Sequence, residues 1–198
     1  WLSSMGRWIR VVISGSCVNC ATYIWRETFA VRTIRMLIVL DRDGVINEES
    51  IHYVKSPEEW IPIPQSLNAI ARLNQAGHQV VIATNQSGVG RGYYSLAALE
   101  AIHQKMRDEL SLVAGRVDGI YFCPHHPDDG CGCRKPQPGM LHDIINDFNP
   151  GSEAFYMVGD SLRDLQAGQA VGAQVALVRT GNGEKTLKDS QAEVAGIP

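Results

Sequence analysis

Short apolar runs alternate with helical stripes along most of this chain. Leu37-Ile38-Val39-Leu40 is four apolar residues in a row, the pattern of a strand buried on both faces. Ser66 reads as the cap of a helix that carries Leu67, Ile70, Ala71 and Leu73 on one face and stops at Gly77. Gln79 to Ala83 is a second buried strand, rich in β-branched residues. Ser95 opens a helix with Leu96, Leu99, Ile102, Met106 and Leu110 in register. Val117 to Phe122 reads as a strand, and Pro138 begins a helix with Leu141, Ile144, Ile145 and Phe148 inward. Ala154 to Val158 is a strand, Leu162 to Val171 a helix and Gln174 to Val178 a strand. Such alternation predicts an α/β domain whose mostly parallel sheet is sandwiched by helices. Ligands of such sheets lie beyond the carboxyl ends of the strands.

Composition changes little. The chain has 198 residues, 44% hydrophobic and 20% charged, enough for one domain with a full core. A net charge of -3 argues against nucleic-acid and membrane-surface binding, and no apolar run is long enough to span a bilayer. Residues 1–35 break the pattern: they begin on Trp1, hold no sustained period, and end where Met36 precedes the first strand. They read as an N-terminal extension, non-native or disordered, with Met36 as the natural start. Cys17-Val18-Asn19-Cys20 lacks a partner pair and reads as incidental.

The strand ends carry the chemistry. The first runs into Asp41-Arg42-Asp43-Gly44, the second into Thr84-Asn85-Gln86-Ser87-Gly88, and the Ala154–Val158 strand into Gly159-Asp160-Ser161-Leu162-Arg163-Asp164. Two carboxylates ~4 Å apart repel by about 4 kcal/mol at an effective dielectric near 20, so a cation or a shared proton is needed. Asp41, Asp43 and Asp160 together suit Mg²⁺, which prefers carboxylates and retained waters. A metal there lets a carboxylate approach a phosphate dianion. Asp41 can then attack phosphorus, with Asp43 as the acid and base. Thr84 supplies a hydroxyl donor and Lys135 a point charge for a transferring phosphoryl oxygen. Asp164, one helical turn past Asp160, is placed to orient Lys135 or a metal-bound water.

A second cluster lies just past the third strand. Cys123-Pro124-His125-His126-Pro127-Asp128-Asp129-Gly130-Cys131-Gly132-Cys133 has prolines and glycines that leave little room for regular structure. Three of the chain's five cysteines crowd it, which suits metal ligation in a reducing compartment better than a disulfide framework. Soft thiolates with imidazole in a short loop fit tetrahedral Zn²⁺, held by Cys123, His125, Cys131 and Cys133, with His126 the alternative imidazole. Four ligands close the site, so the zinc is structural.

These residues resemble the haloacid dehalogenase (HAD) superfamily of phosphohydrolases. Asp41-Arg42-Asp43-Gly44-Val45-Ile46-Asn47 is similar to its nucleophile motif, Thr84-Asn85-Gln86-Ser87-Gly88 to its second, Lys135 to its third, and Gly159-Asp160 with Asp164 to its fourth. The resemblance runs from Met36 to Gly181. Arg91-Gly92 and the Cys123 to Pro136 loop make it finer, toward enzymes that remove one phosphate of a heptose bisphosphate. It implies a Rossmann-like HAD fold with a minimal cap in residues 36–198. It implies Asp41 as nucleophile, Asp43 as general acid/base, and Thr84 and Lys135 as phosphoryl stabilisers. Magnesium is then held by Asp41, Asp160 and the Asp43 backbone carbonyl. Arg134 recognises the substrate, and Glu49, His52, Tyr53, Asn85, Gln86, Ser87, Arg91 and Ser161 line it.

The implied activity is hydrolysis of the 7-phosphate of D-glycero-D-manno-heptose 1,7-bisphosphate through an aspartyl-phosphate, in making activated heptose for lipopolysaccharide core. The implied enzyme is a cytoplasmic monomer acting on a small sugar bisphosphate. Histidinol-phosphate phosphatases share the nucleophile motif and the zinc loop, and Ser87 with Arg91-Gly92 favours the heptose substrate over theirs. A phosphotransferase shares the aspartyl-phosphate, and a noncatalytic zinc-loop binding protein on this fold is the alternative of another class. The chain ends at Ile197-Pro198, where the family pattern continues into a last strand and helix, so part of one sheet face is expected to stay uncovered.

Overall fold

A computed structural model describes residues 35–151 and 155–190. The expectations for residues 1–34, including the Cys17/Cys20 pair, for the strand start at Ala154 and for Ile197-Pro198 lie outside the described residues.

Among the described residues, five strands form one sheet, β1 (Leu37–Leu40), β2 (Gln79–Asn85), β3 (Gly119–Cys123), β4 (Phe155–Gly159) and β5 (Gln174–Leu177), in the order β3-β2-β1-β4-β5. Every pairing is parallel. β1 sits at the centre, with Leu37 opposite both Gln79 and Phe155 and Leu40 opposite Ile82 and Val158. All four of its side chains are buried, as a run apolar on both faces requires.

The helices are α1 (Ser66–Gln75), α2 (Ser87–Gly90), α3 (Leu96–Leu112), α4 (Gly139–Phe148), α5 (Leu162–Ala170) and α6 (Gly183–Asp189). Two cores lie on opposite sides of the sheet. Ile38, Leu40, Val80 and Ile82 pack with Ile70 of α1 and with Ile102, Met106 and Leu110 of α3. Leu37, Val39, Val81 and Met157 pack with Leu141 and Ile144 of α4 and Ala167 of α5. The chain winds outward through β2 and β3, then crosses to β4 on the other side of β1. The strand order reverses between β1 and β4, which opens a crevice at their carboxyl ends.

Three local details differ from the sequence reading. Gln65, in the left-handed region at φ 69°, stands at the N-cap of α1, and the Ser66 hydroxyl instead donates to the Ile46 carbonyl at 2.7 Å. The short helix α2 folds within what reads as a glycine loop, and α6 comes after β5 without any apolar stripe to announce it. Ser95, by contrast, caps α3 as expected, accepting from the Ala98 amide at 3.1 Å. Among the described residues, an apolar groove of about 530 Å³ lies between α1 and the strands β1 and β4, floored by Ile38, Tyr156 and Val158.

Candidate active site

The crevice is a polar cleft of about 280 Å³ at the carboxyl edge of the sheet. Asp41, Asp43, Thr84 and Asp160 meet there because β1, β2 and β4 are neighbours that all end on the same side. Thr84 and Asp160 are 1% and 2% exposed.

Lys135 reaches the same point from the loop after β3. Its ammonium lies 2.7 Å from Asp164 Oδ1 and 3.1 Å from Asp41 Oδ1, and donates to the Ala83 carbonyl at 2.6 Å. Two carboxylates and one carbonyl thus surround a buried cation. Burial opposes its charge, yet Asp164 and Asp41 outweigh burial and raise the Lys135 pKa. Asp164 also accepts from the Ser161 amide at 3.0 Å and from the Ser161 hydroxyl. It orients Lys135 from the first turn of α5.

Arg42, between the two aspartates, is buried to 1% exposure. Its Nη2 donates to both oxygens of Asp43, at 2.9 and 3.0 Å, and to Gln86 Oε1 at 3.1 Å. Asn47 Nδ2 and Gln86 Nε2 each donate to Asp43 at 2.8 Å. Gln86 also donates to Thr84 Oγ1 at 2.9 Å and accepts from the Tyr94 hydroxyl at 2.7 Å. Burial raises the Asp43 pKa, but Arg42 and the Asn47 and Gln86 donors prevail and hold it below the ordinary carboxylate range. Asp41 behaves oppositely. Burial pushes it up to about 7 against Lys135, and Asp164 and Asp43 add to the rise. Burial raises Asp160 too, against the Asn182 amides.

Carboxylate oxygens of Asp41, Asp160 and Asp164 lie within 4.8 Å of one another. Asp164 is occupied by Lys135 and Ser161, so Asp41 and Asp160 are the pair open to a hard cation. Two acids with raised pKa values, Asp160 buried and Asp41 half-buried, both oxygen donors, fit Mg²⁺. The Asp43 side chain is outside this cluster, taken up by Arg42, Asn47 and Gln86.

The expected substrate residues divide. Glu49, Tyr53, Asn85, Gln86, Ser87, Arg134 and Ser161 line the cleft; His52 and Arg91 do not, and both are exposed. Asn85 turns out to hold Lys135 in place: its amide donates to the Lys135 carbonyl at 3.0 Å and accepts from the Lys135 amide at 3.1 Å. Arg134 Nη1 is buried with no hydrogen-bond partner among the described residues. The loop above the cleft includes Tyr53 at φ 65°, its ring set edge-on to Tyr93 at 5.2 Å. Ser50 and Ile51, within the Glu49–Tyr53 stretch, and Arg163, within the Asp160–Asp164 stretch, also line the cleft, as do Val54 and Asn182, which carry no motif that would have singled them out.

Beside the cleft, Cys123, His125, Cys131 and Cys133 bring their ligand atoms within 4.8 Å of one another. Cys123 Sγ is 3.5 Å from His125 Nδ1 and from Cys131 Sγ, and Cys133 Sγ is 3.2 Å from His125 Nδ1. Thiolates ~2.3 Å from a tetrahedral zinc stand roughly 3.7 Å apart, so the spacing fits. His126 instead accepts from the Asp128 amide at 3.2 Å within its own turn, which leaves His125 as the imidazole of the cluster. Burial raises the Cys133 thiol to about 12, with Cys123 and Cys131 adding to it; Cys131 falls to about 7 as its hydrogen bonds outweigh burial. Three thiols this close ionise together only around a cation.

Residues 132–196 match the model of the HAD-hydrolase-like family. A D-glycero-beta-D-manno-heptose-1,7-bisphosphate 7-phosphatase of Pseudomonas putida is 54% identical over 161 residues, 81% of this chain and 92% of that protein. Its counterpart in Neisseria meningitidis serogroup A is 52% identical over 158 residues, 80% and 84%. The crystal structure of D,D-heptose 1,7-bisphosphate phosphatase from B. bronchiseptica, complexed with magnesium and phosphate, superposes with a TM-score of 0.76 at 54% identity, covering 82% of this chain and 88% of that one. The chain belongs to the HAD-like phosphatases, in the family of the D-glycero-beta-D-manno-heptose-1,7-bisphosphate 7-phosphatases.

Proposed function

We propose that residues 36–198 form one phosphatase domain that hydrolyses the 7-phosphate of D-glycero-beta-D-manno-heptose 1,7-bisphosphate. The observation that carries the reading is Lys135, paired with both Asp41 and Asp164 at the point where three strand ends converge. The relatives' shared name supplies the substrate and the beta anomer.

Asp41 attacks phosphorus in line; the bond to the sugar oxygen breaks as Asp43 gives that oxygen a proton. Water then attacks the aspartyl-phosphate, Asp43 takes its proton, and phosphate leaves with the Asp41 carboxylate restored. Arg42 favours the ionised form of Asp43, which suits the second step. In the first step the substrate phosphate dianion beside it opposes Arg42 and helps Asp43 hold its proton. Lys135 and the Thr84 hydroxyl face the phosphoryl oxygens where charge gathers. Asp41, Asp160 and the Asp43 carbonyl would hold magnesium, which would supply the charge neutralisation that lets an anionic nucleophile meet an anionic substrate. Arg134, with its unpaired buried Nη1, grips the second phosphate in a bidentate fork. The Cys123, His125, Cys131 and Cys133 tetrad holds a structural zinc that fixes the loop carrying Arg134 and Lys135. The enzyme works as a cytoplasmic monomer.

A phosphate-release panel tests this, with heptose 1,7-bisphosphate, histidinol phosphate and simple sugar phosphates, with and without Mg²⁺. The heptose substrate should give the highest kcat/KM and Asp41→Asn should abolish release. A higher kcat/KM for histidinol phosphate would overturn the substrate assignment, and an active Asp41→Asn the mechanism.

A further inference from the structure

Glu49 and Asp160 are far apart in sequence, yet one side chain holds both. Asn182 Nδ2 donates to Glu49 Oε2 at 3.0 Å and to Asp160 Oδ2 at 3.2 Å. The Asn182 backbone amide donates to the same Asp160 oxygen at 2.7 Å. Two donors on Oδ2 fix the rotamer of Asp160 and leave Oδ1 free of them. The third donor reaches the loop that roofs the cleft, whose Glu49 is exposed and has no other anchor on the sheet among the described residues.

The surroundings are built for this contact. A Cβ on Gly44 would stand 2.1 Å from Asp160 Oδ2, and one on Gly181 2.3 Å from it. Both glycines take positive φ, 78° and 56°, so the backbone closes on the carboxylate from two sides. Thr180 Oγ1 donates to the Gly44 carbonyl at 2.6 Å, and Thr186 Oγ1 to the Asp160 carbonyl at 2.9 Å. The turn after β5 is thereby tied to the nucleophile loop and to Asp160 at once. Asn182 lines the cleft itself.

We propose that Asn182 is a positioning residue that couples metal binding at Asp41 and Asp160 to placement of the Glu49–Tyr53 loop over the substrate. The inference rests on the magnesium-phosphatase reading of the cleft. A shared donor is a physical link: whatever holds Asp160 in its metal-binding rotamer also holds the Asn182 amide where Glu49 meets it. Linkage makes the effect reciprocal, so removing the loop contact weakens the metal. Glu49 also attracts a cation by its charge alone, and only a contribution that vanishes without Asn182 is coupling.

The experiment is a double-mutant cycle on the full chain, with Mg²⁺ affinity read by calorimetry and KM for the sugar bisphosphate at saturating Mg²⁺. Asn182→Ala should weaken Mg²⁺ binding about tenfold, as loss of a residue orienting a metal ligand does. Glu49→Ala should weaken it several-fold in the parent chain and measurably less in Asn182→Ala, since only its charge effect remains. KM should rise in both single variants. Glu49→Gln keeps an acceptor for Asn182 and should restore most of the coupling. Effects on Mg²⁺ affinity that simply multiply would overturn the proposal, whatever their size. Glu49 is exposed, so its variants fold even if Asn182→Ala does not; unchanged Mg²⁺ affinity in Glu49→Ala overturns it equally. Absence of phosphatase activity from the parent chain would instead sink the underlying reading, whereas multiplicative effects in an active enzyme sink only the role of Asn182.

Discussion

Replacing Lys135 with methionine keeps the length of the side chain and removes its charge. The ammonium is 1% exposed, and its loss leaves the buried Asp164 facing an Asp41 at the cleft floor that is only 13% exposed, while the Ala83 carbonyl loses a donor. Removing one partner of a buried ion pair costs about 3–5 kcal/mol, because the remaining charge has no water to turn to. The penalty depends on pH. Asp41 has a folded pKa of about 7, above its unfolded value of 3.8, so the stability tied to its neutral form is lost as pH rises through 7. Below that range Asp41 is neutral in parent and variant alike, and Lys135 has one charge fewer to balance. Lys135→Met should therefore be most destabilising at pH 8.5, by about 3–5 kcal/mol or roughly 6–20 °C in Tm, and distinctly less so at pH 6. Urea unfolding followed by circular dichroism gives both values, in magnesium-free buffer without a chelator, which would strip the thiolate loop. Adding Asp41→Asn should return much of the stability at pH 8.5. Activity should fall by at least about 10²–10³, the usual cost of one preorganised donor. A stability loss under about 1 kcal/mol at pH 8.5, or one equal at both pH values, refutes the account of Lys135 as counter-ion to an ionised Asp41.

Burial beside Arg42 lowers the His103 pKa from 6.5 to about 4, so its contribution is present above pH 6.5 and lost as pH falls toward 4; at about 1.4 kcal/mol per pH unit the loss approaches 3 kcal/mol. Urea titrations at pH 7 and pH 4 should give a smaller difference for His103→Gln than for the parent. Cys133→Ser should lower zinc from one per chain, by metal analysis, and reduce kcat by displacing Lys135 two residues on; full zinc and full kcat would remove the structural metal from the account. Gly44→Ala puts a Cβ into the Asp160 carboxylate at a φ of 78°, so it should cost about 1–2 kcal/mol of stability and weaken Mg²⁺ binding, both read by thermal shift with and without the metal.

The strands and the chemistry at their ends were open to sequence reasoning because parallel buried strands are short, apolar and end abruptly. Leu37–Leu40 and Gln79–Asn85 stop where periodicity stops, and the residues immediately after them must stand at the sheet edge. Arg42 was hidden by the same logic. A charged residue past a strand reads as solvated, and only the three acceptors around it, on Asp43 and Gln86, explain its burial. Asn85 and Gln86 were visible as cleft residues, but their partners, Lys135 and Arg42, lie 50 and 44 positions away, and no local pattern encodes that. Ser66 carried a cap signature, yet the nearby Ile46 carbonyl claimed its hydroxyl. Asn182 sits in a glycine-flanked turn before a seven-residue helix with no apolar stripe, so nothing announced it.

The spacing of the sheet acts as a ruler for the reaction. Asp41 and Asp160 directly follow β1 and β4, and Thr84 stands near the end of β2 on the other side of β1; neighbouring strands are held ~4.8 Å apart by the backbone ladder itself. That interval is close to the width of a phosphoryl group, and side-chain substitution cannot retune it. The groups that meet the rest of the substrate come instead from the Glu49–Tyr53 loop, the turn at Asn182 and the stretch that holds Arg134, none of which is tied to that interval. The molecule thus divides into a part with fixed tolerance, which breaks the bond, and a part with adjustable tolerance, which chooses the molecule. Changes of substrate in such a fold can accumulate in loops while the bond-breaking geometry stays where the sheet sets it.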